Sequence, residues 1–195
     1  MDSTNLLRMT ERALASSTLV LSLLLGACSG SDEKKADADP QPATVVWSTT
    51  DGGNDHSYRL VTVKNGITWP AAEAAAAAAG GHLATIATDL ENSFVADLAA
   101  AHANAWLLIT PDAAPGTFLG PWLGASAESA RFTWVTNEAW SYTAWASGEP
   151  TGTYNGNVED KLILKGATDG AGVFEVSGWN DAGDFAGPSY VIELE

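Results

Sequence analysis

Helical signals in this sequence are confined to positions 68–102, and this placement limits the possible folds more than any other feature. The first signal is "TWPAAEAAAAAAGG", in which Thr68 can cap a helix, Pro70 suits its first turn and Gly80-Gly81 end it. The second signal is "TDLENSFVADLAAAHA", which begins with Asp89 as a candidate cap. Its apolar residues at helical spacing are Leu90, Phe94, Val95 and Leu98. The sequence therefore predicts two consecutive helices.

Segments with strand character flank these helices. "SYRLVTV", Ser57 to Val63, alternates apolar and polar residues, and the "KNG" that follows it indicates a turn. "HLATIAT", His82 to Thr88, predicts a short apolar strand or edge, and "AWLLIT", Ala105 to Thr110, predicts a buried strand. Later strands are predicted in "GPWLGAS", "RFTWVT" and "SYVIELE", with the terminal "ELE" solvated. Helices segregated from a largely antiparallel sheet define an α+β domain.

Charge and composition narrow the class of function. The chain has nine Lys and Arg against 24 Asp and Glu, giving a net charge of −15. Phosphate binding requires a basic surface, so nucleic acid is not an expected partner. An acidic surface is compatible with a bound cation, but it also serves solubility alone. A hydrophobic content of 46% with eight Trp predicts a packed core.

The N-terminal region predicts export. Arg8 and Arg12 precede an apolar stretch, Ala13 to Leu25, which is shorter than the ~20 residues of a membrane-spanning helix. This pattern is typical of a secretory signal peptide. It ends in Leu25-Gly26-Ala27-Cys28, which resembles the bacterial lipobox, whose cysteine becomes the lipidated first residue of the mature protein. The alternative is an ordinary signal peptide with a chance cysteine.

These features predict three segments. Residues 1–27 are a lipoprotein signal peptide, residues 28–44 a lipidated flexible tether, and residues 45–195 a folded domain. Lipidation at Cys28 would anchor the protein to the bacterial cell envelope, at the outer membrane or cell surface, through acyl chains alone. Because Cys28 is the only cysteine, the chain cannot form an intrachain disulfide.

Oxygen-bearing side chains recur in the loops of the second half, in "WASGEPTG", "VED" and "GWNDAGD". Calcium takes ~6–8 oxygen ligands and tolerates irregular geometry. The sequence has no His or Cys cluster of the kind that binds zinc or iron. Asp and Asn are also common turn residues, so the pattern alone leaves a metal site as one of two alternatives.

Motifs in the same region resemble those of the C-type lectin-like domain. They are "WLG" at Trp122 to Gly124, "GEPTG" at Gly148 to Gly152, "VED" at Val158 to Asp160 and "WND" at Trp179 to Asp181. "GGHLATI", Gly80 to Ile86, is similar to the turn after the family's first helix. The resemblance covers roughly residues 57–195. It implies two helices with antiparallel sheets and a long ligand-binding loop.

The resemblance also implies a calcium ion in the long-loop region. The implied metal ligands are Glu149, Thr151, Glu159, Asn180 and Asp181. In sugar-binding members two adjacent hydroxyls complete the calcium shell, which implies sugar contacts from Glu149, Thr151, Glu159 and Asn180. Thr151 stands where the family has Asn, and Pro150 is expected to follow a cis peptide. Without disulfides, the loop is expected to be braced by Trp140, Trp145 and Trp179.

The sequence thus predicts a calcium-dependent carbohydrate-binding module. The alternative is a calcium-independent domain of the same fold that binds a surface protein. Two nearby carboxylates could in principle hydrolyse a glycoside. However, the sequence shows no nucleophile–base pair and no catalytic motif, so an enzyme is not predicted.

Overall fold

The computed structural model describes residues 43–110 and 116–195. The predicted signal peptide, Cys28 and nearly all of the predicted tether lie outside the described residues. Among the described residues, no helix is long and apolar enough to cross a membrane. The helices are α1, Trp69–Ala78, and α2, Asp89–Ala100. The strands are β1 Val45–Val46, β2 Ser57–Ile67, β3 His82–Leu83, β4 Leu107–Leu108, β5 Thr117–Glu128, β6 Arg131–Trp134, β7 Thr153–Tyr154, β8 Asn157–Val158, β9 Lys161–Thr168, β10 Phe174–Ala182 and β11 Gly187–Leu194.

The described strands form one large sheet and one small hairpin. The large sheet runs in the order β1-β2-β11-β5-β9-β10, with β3 added to β11 and with β4 and β6 added to β5. The strand pairs are antiparallel except for β11 and β5, which are parallel. The last strand therefore lies in the middle of the sheet. β7 and β8 form the separate hairpin.

The alanine-rich segment forms α1 as predicted. Its buried residues include Ala72 and Ala76, which are fully covered and let the helix lie close to the sheet. Trp69 donates its indole N–H to the carbonyl of Leu123 at 2.8 Å, which fixes the start of the helix. Thr68 is at the cap position, although its side chain makes no capping hydrogen bond. The helix ends before Gly80, which has a left-handed φ of 87°.

The second helix also forms, with a different cap. Thr88, not Asp89, is the cap residue, since its hydroxyl accepts the backbone N–H of Glu91 at 3.2 Å. Val95 is buried as the spacing predicts, but Leu90 is 60% exposed. The helix ends at Ala100, two residues before the predicted end.

Two local predictions were wrong, and one predicted strand is shorter than expected. "KNG", residues 64–66, lies inside β2, which bends at Gly66 with a φ of 74° where its register against β11 shifts. In "AWLLIT", only Leu107–Leu108 is a strand, and it is exposed because it pairs with one end of β5. In "HLATIAT", only His82–Leu83 forms a strand.

Trp134, Trp140, Trp145 and Trp179 pack together in one core cluster beside the loop that follows β6, whereas Trp122 lies in a second cluster with Trp69. Trp122, Trp134 and Trp179 are at most 2% exposed. Trp140 and Trp145 each lie with ring centroids 5.8 Å from that of Trp179. Aromatic packing at these distances stabilises the loop beyond simple burial. The predicted bracing of the loop by Trp140, Trp145 and Trp179 is therefore confirmed.

A buried polar cluster joins α2 to the sheet. Glu193 is 2% exposed, so the prediction of a solvated C-terminal "ELE" was wrong at this residue.

The hydroxyl of Tyr58 lies 2.6 Å from a carboxylate oxygen of Glu91 and 2.9 Å from one of Glu193. Burial raises the pKa of Glu91, and the charges of Glu193 and Glu138 raise it further. His56 contacts Glu193 at 2.7 Å.

Candidate functional site

The long loop, residues 135–160, is attached to β10 by its backbone. The N–H of Ala146 donates to the carbonyl of Trp179 at 2.9 Å, and the N–H of Trp179 donates to the carbonyl of Ala144 at 2.7 Å. Gly178 permits this approach, because an added Cβ would lie 2.5 Å from the Ala144 oxygen. The loop therefore brings "GEPTG" and "VED" next to "WND", as the resemblance implies. The Glu149–Pro150 peptide is cis, as expected.

Asp181 ties the tip of the loop to the sheet. It is fully buried, and its two carboxylate oxygens accept the backbone N–H groups of Thr151 at 2.9 Å and Gly152 at 2.6 Å. The side-chain amide of Asn180 donates to the backbone carbonyl of Asp181. Both residues lie in β10, where Asp181 pairs with Leu162 of β9. Strand pairing and these hydrogen bonds together fix residues 151–152 beside β10.

Thr151 and Glu159 are joined directly. The Thr151 hydroxyl donates to a carboxylate oxygen of Glu159 at 2.6 Å. Burial raises the pKa of Glu159, and the negative charges of Asp181 and Glu149 raise it further, while the Thr151 hydrogen bond and the charge of Lys165 oppose the rise. The mutual influence of these three carboxylates means that the fold concentrates negative charge in this region.

Glu149 has a partner that sequence reasoning missed. The ammonium of Lys165 lies 2.5 Å from its carboxylate, and the two side chains are 23% and 9% exposed respectively. Lys165 lies in β9, within the otherwise apolar run "LILKG". A lysine in such a run is the signal that could have identified it, since charged residues are rarely buried without a partner.

Four of the five predicted ligands line one cavity of about 570 Å³: Glu149, Thr151, Glu159 and Asn180. Lys165 and Asp184 line the same cavity. Its other wall is apolar and includes Leu107, Ile109, Leu119, Tyr154 and Phe185. Asp181 instead lines a neighbouring cavity of about 540 Å³, shared with Thr151 and Glu159. The predicted residues therefore line two neighbouring cavities, which share Thr151 and Glu159.

The donor set fits calcium in chemistry, because every predicted ligand offers a hard oxygen. Two of its members have competing contacts, Glu149 with Lys165 and Asp181 with the two backbone N–H groups. In the described part of the chain, no group of three or more Asp, Glu, His or Cys side chains is arranged to hold a metal ion. A calcium ion held by all five residues would therefore require Glu149 to leave Lys165, and Asp181 to share its oxygens between the ion and the two N–H groups.

No protein-family profile matches the sequence, and no curated protein sequence matches it. Solved structures do match. One is the cow C-type carbohydrate-recognition domain of CD23 in the presence of GlcNAc2Man3 oligosaccharide, with a TM-score of 0.51 and 19% identity over 72% of this chain and 88% of that chain. Another is the EPNH mutant of CEL-I, with a TM-score of 0.52 and 21% identity over 73% of this chain and 92% of that chain.

These structural similarities establish the fold. At identities of about 20% they carry no information on activity. The described residues adopt the C-type lectin-like fold, with two helices and a mainly antiparallel sheet. The α+β class and the fold predicted from the sequence are confirmed.

Proposed function

We propose that this chain is a calcium-dependent carbohydrate-binding module of an exported, lipid-anchored protein of the bacterial cell envelope. The main support for this proposal is that one cavity is lined by four predicted ligands: Glu149, Thr151, Glu159 and Asn180. A cavity of about 570 Å³ lies in the size range of small-molecule sites. The fold is also that of a CD23 domain solved in the presence of an oligosaccharide, which supports a glycan as the ligand class.

The residues of the chain supply the recognition chemistry. The carboxylates of Glu149 and Glu159 can accept hydrogen bonds from sugar hydroxyls, and such charge-assisted bonds are the stronger kind. The amide of Asn180 can donate one. Asp181 has a positioning role, because it fixes Thr151 and the start of the loop tip through backbone N–H groups. Calcium bound by Glu149, Thr151, Glu159, Asn180 and Asp181 would polarise two adjacent hydroxyls.

A second candidate is calcium-independent binding of a surface protein. It is favoured by exposed apolar side chains on the rim of the cavity, namely Leu107 at 42%, Ile109 at 44% and Tyr154 at 66%. Such residues are typical of protein interfaces when they form a patch. The internal Lys165–Glu149 pair also satisfies one carboxylate without calcium. Neither candidate requires catalysis.

A glycan array read with calcium and with chelator tests the first proposal. Binding that chelator removes, and that Glu149→Ala abolishes, is the expected result. Asp169→Ala is the control, because Asp169 lies in the exposed turn between β9 and β10. Calcium should also raise the melting temperature with its concentration, since it binds only the folded state. An unchanged melting curve and no heat of calcium binding at millimolar concentration would refute calcium dependence.

Lipid anchoring is tested by fractionation. Wild-type protein is expected in the membrane fraction of an expressing bacterium, and Cys28→Ala is expected to release it. Retention of Cys28→Ala in the membrane fraction would refute lipidation at this residue.

A further inference from the structure

We propose that Lys165 is a built-in competitor of calcium at the long-loop site. Its ammonium occupies Glu149 when calcium is absent, and calcium binds only as the ammonium leaves. This inference rests on the proposed calcium site, and it names Lys165 as a residue that lowers the calcium affinity of that site. Lys165 would then act as an internal counter-ion whose displacement accompanies ligand binding.

The first support is the contact itself. The Lys165 nitrogen is 2.5 Å from the Glu149 carboxylate, and the Glu149 side chain is only 9% exposed. A carboxylate with so little access to water needs a cation or hydrogen-bond donors nearby. Lys165 meets this need without any metal. An ion that takes Glu149 as a ligand has to replace this partner, because two cations at one carboxylate repel each other.

The second support is the position of Lys165 in the sheet. It lies in β9, and its backbone is paired with Leu119 of β5 on one side and with Gly178 of β10 on the other. The backbone at Lys165 is therefore held on both sides, while its long side chain has several rotatable bonds. A change of side-chain rotamer is enough to release Glu149. The hydrogen bonds from Thr151 and Gly152 to Asp181 do not involve Lys165, so a rotamer change of Lys165 leaves them in place.

The third support is that the charge of Lys165 reaches beyond its direct partner. Lys165, Glu149 and Glu159 line the same cavity, so the charge of the ammonium acts on the carboxylate of Glu159 as well as on that of Glu149. A single positive charge thus offsets part of the negative charge that would attract calcium. Removing this charge should strengthen calcium binding both by freeing Glu149 and by ending the repulsion.

The test is calorimetric titration of calcium chloride into the full chain, comparing wild type with Lys165→Met. Met keeps the length and apolar stem of lysine and removes the charge. The expected result is calcium binding at least about tenfold tighter in the variant, equivalent to about 1.4 kcal/mol. Equal or weaker binding in Lys165→Met, with wild type binding calcium, overturns the competitor role and leaves the proposed function intact.

Lys161→Met is the matched control. Lys161 is in the same strand, is 20% exposed, and also pairs with an acid, Asp160, at 2.9 Å. Lys161→Met changes the net charge by the same amount as Lys165→Met, but Lys161 does not pair with a predicted calcium ligand. The calcium affinity of this variant is therefore expected to stay within about threefold of wild type. An equal gain in Lys161→Met and Lys165→Met would overturn a specific role for Lys165. Calcium binding by neither wild type nor Lys165→Met would overturn the inference and the calcium site together.

A second measurement uses the wild-type chain and does not depend on how a variant folds. Reductive methylation followed by peptide mass spectrometry reports how accessible each lysine nitrogen is. With calcium, methylation of Lys165 is expected to rise at least about threefold over the rate in chelator, because its ammonium has left Glu149, while Lys161 is unchanged. Equal rates for Lys165 with calcium and with chelator, under conditions where calorimetry shows binding, would overturn the exchange.

Discussion

Replacing Asp181 with Ala is expected to destabilise the domain even without calcium. The change removes both oxygens that accept the N–H groups of Thr151 and Gly152. A buried group left without a partner costs about 1–3 kcal/mol. Thr151 is exposed and Gly152 is half-buried, so water can replace part of each bond and we take about 1–1.5 kcal/mol for each of the two N–H groups. The expected loss in the free energy of unfolding is therefore about 2–3 kcal/mol.

The assay is urea denaturation in chelator, which separates this structural effect from any loss of calcium binding. For a domain of this size, the loss corresponds to a melting temperature lower by roughly 5–10 °C, because each kcal/mol shifts it by about 2–4 °C. The slope of the free energy against urea should not change, since the same surface is exposed on unfolding.

Asp169→Ala is the matched control, since Asp169 also accepts two backbone N–H groups, those of Ala171 at 2.9 Å and Val173 at 2.8 Å. Asp169 is exposed, so water can replace its bonds, and its loss should cost less than half as much. If Asp169→Ala destabilises the domain as much as Asp181→Ala, burial is not what gives Asp181 its importance.

Three further changes test other parts of the structure. Gly178→Ala should destabilise the domain by at least about 2 kcal/mol in urea denaturation, because its φ is 130° and its Cβ would strike the Ala144 oxygen, whereas Gly170→Ala, in open space, should be neutral. Glu91→Gln should gain stability relative to wild type as pH rises from about 4 to 7. Burial raises the pKa of Glu91 in the folded state, so the unfolded chain loses this proton first and the stability of the wild type falls as pH rises. Gln stays neutral at every pH. A stability difference between Glu91→Gln and wild type that is the same at pH 4 and pH 7 in urea denaturation would contradict this reasoning. Thr151→Asn should raise calcium affinity severalfold by calorimetry, because an amide carbonyl is a better ligand than a hydroxyl, and an unchanged affinity would show that this position does not touch the ion.

The fold was predictable because its signals are local. The cap and stop residues around α1 and the spacing of Val95 and its neighbours report which stretches are helical. The burial of Trp122, Trp134 and Trp179 follows from their size and apolar rings. The failures at residues 64–66 and at Leu107–Leu108 have one cause. A pattern along the chain does not reveal where a strand bends or whether it lies at an edge.

The sequence predicted that residues of the long loop and of β10 lie together, but it did not predict their contacts. The types and order of Glu149, Thr151, Glu159 and Asn180 pointed to one site, and they do line one cavity. Nothing in the spacing indicated that Lys165 would face Glu149, or that Asp181 would be used by backbone N–H groups. These contacts join segments that are 16 and 30 residues apart in sequence.

The sequence by itself determined the helices, the apolar core and the kind of atom available in the loops, since each depends on neighbouring residues. Only the tertiary structure decided which polar groups became partners. The order β11-β5-β9-β10 places Lys165 in the strand next to the one that carries Asp181, and it buries Glu193 in the middle of the sheet. The physical reason is that a buried charge takes whichever partner the strand order brings within reach, and strand order is a property of the whole chain.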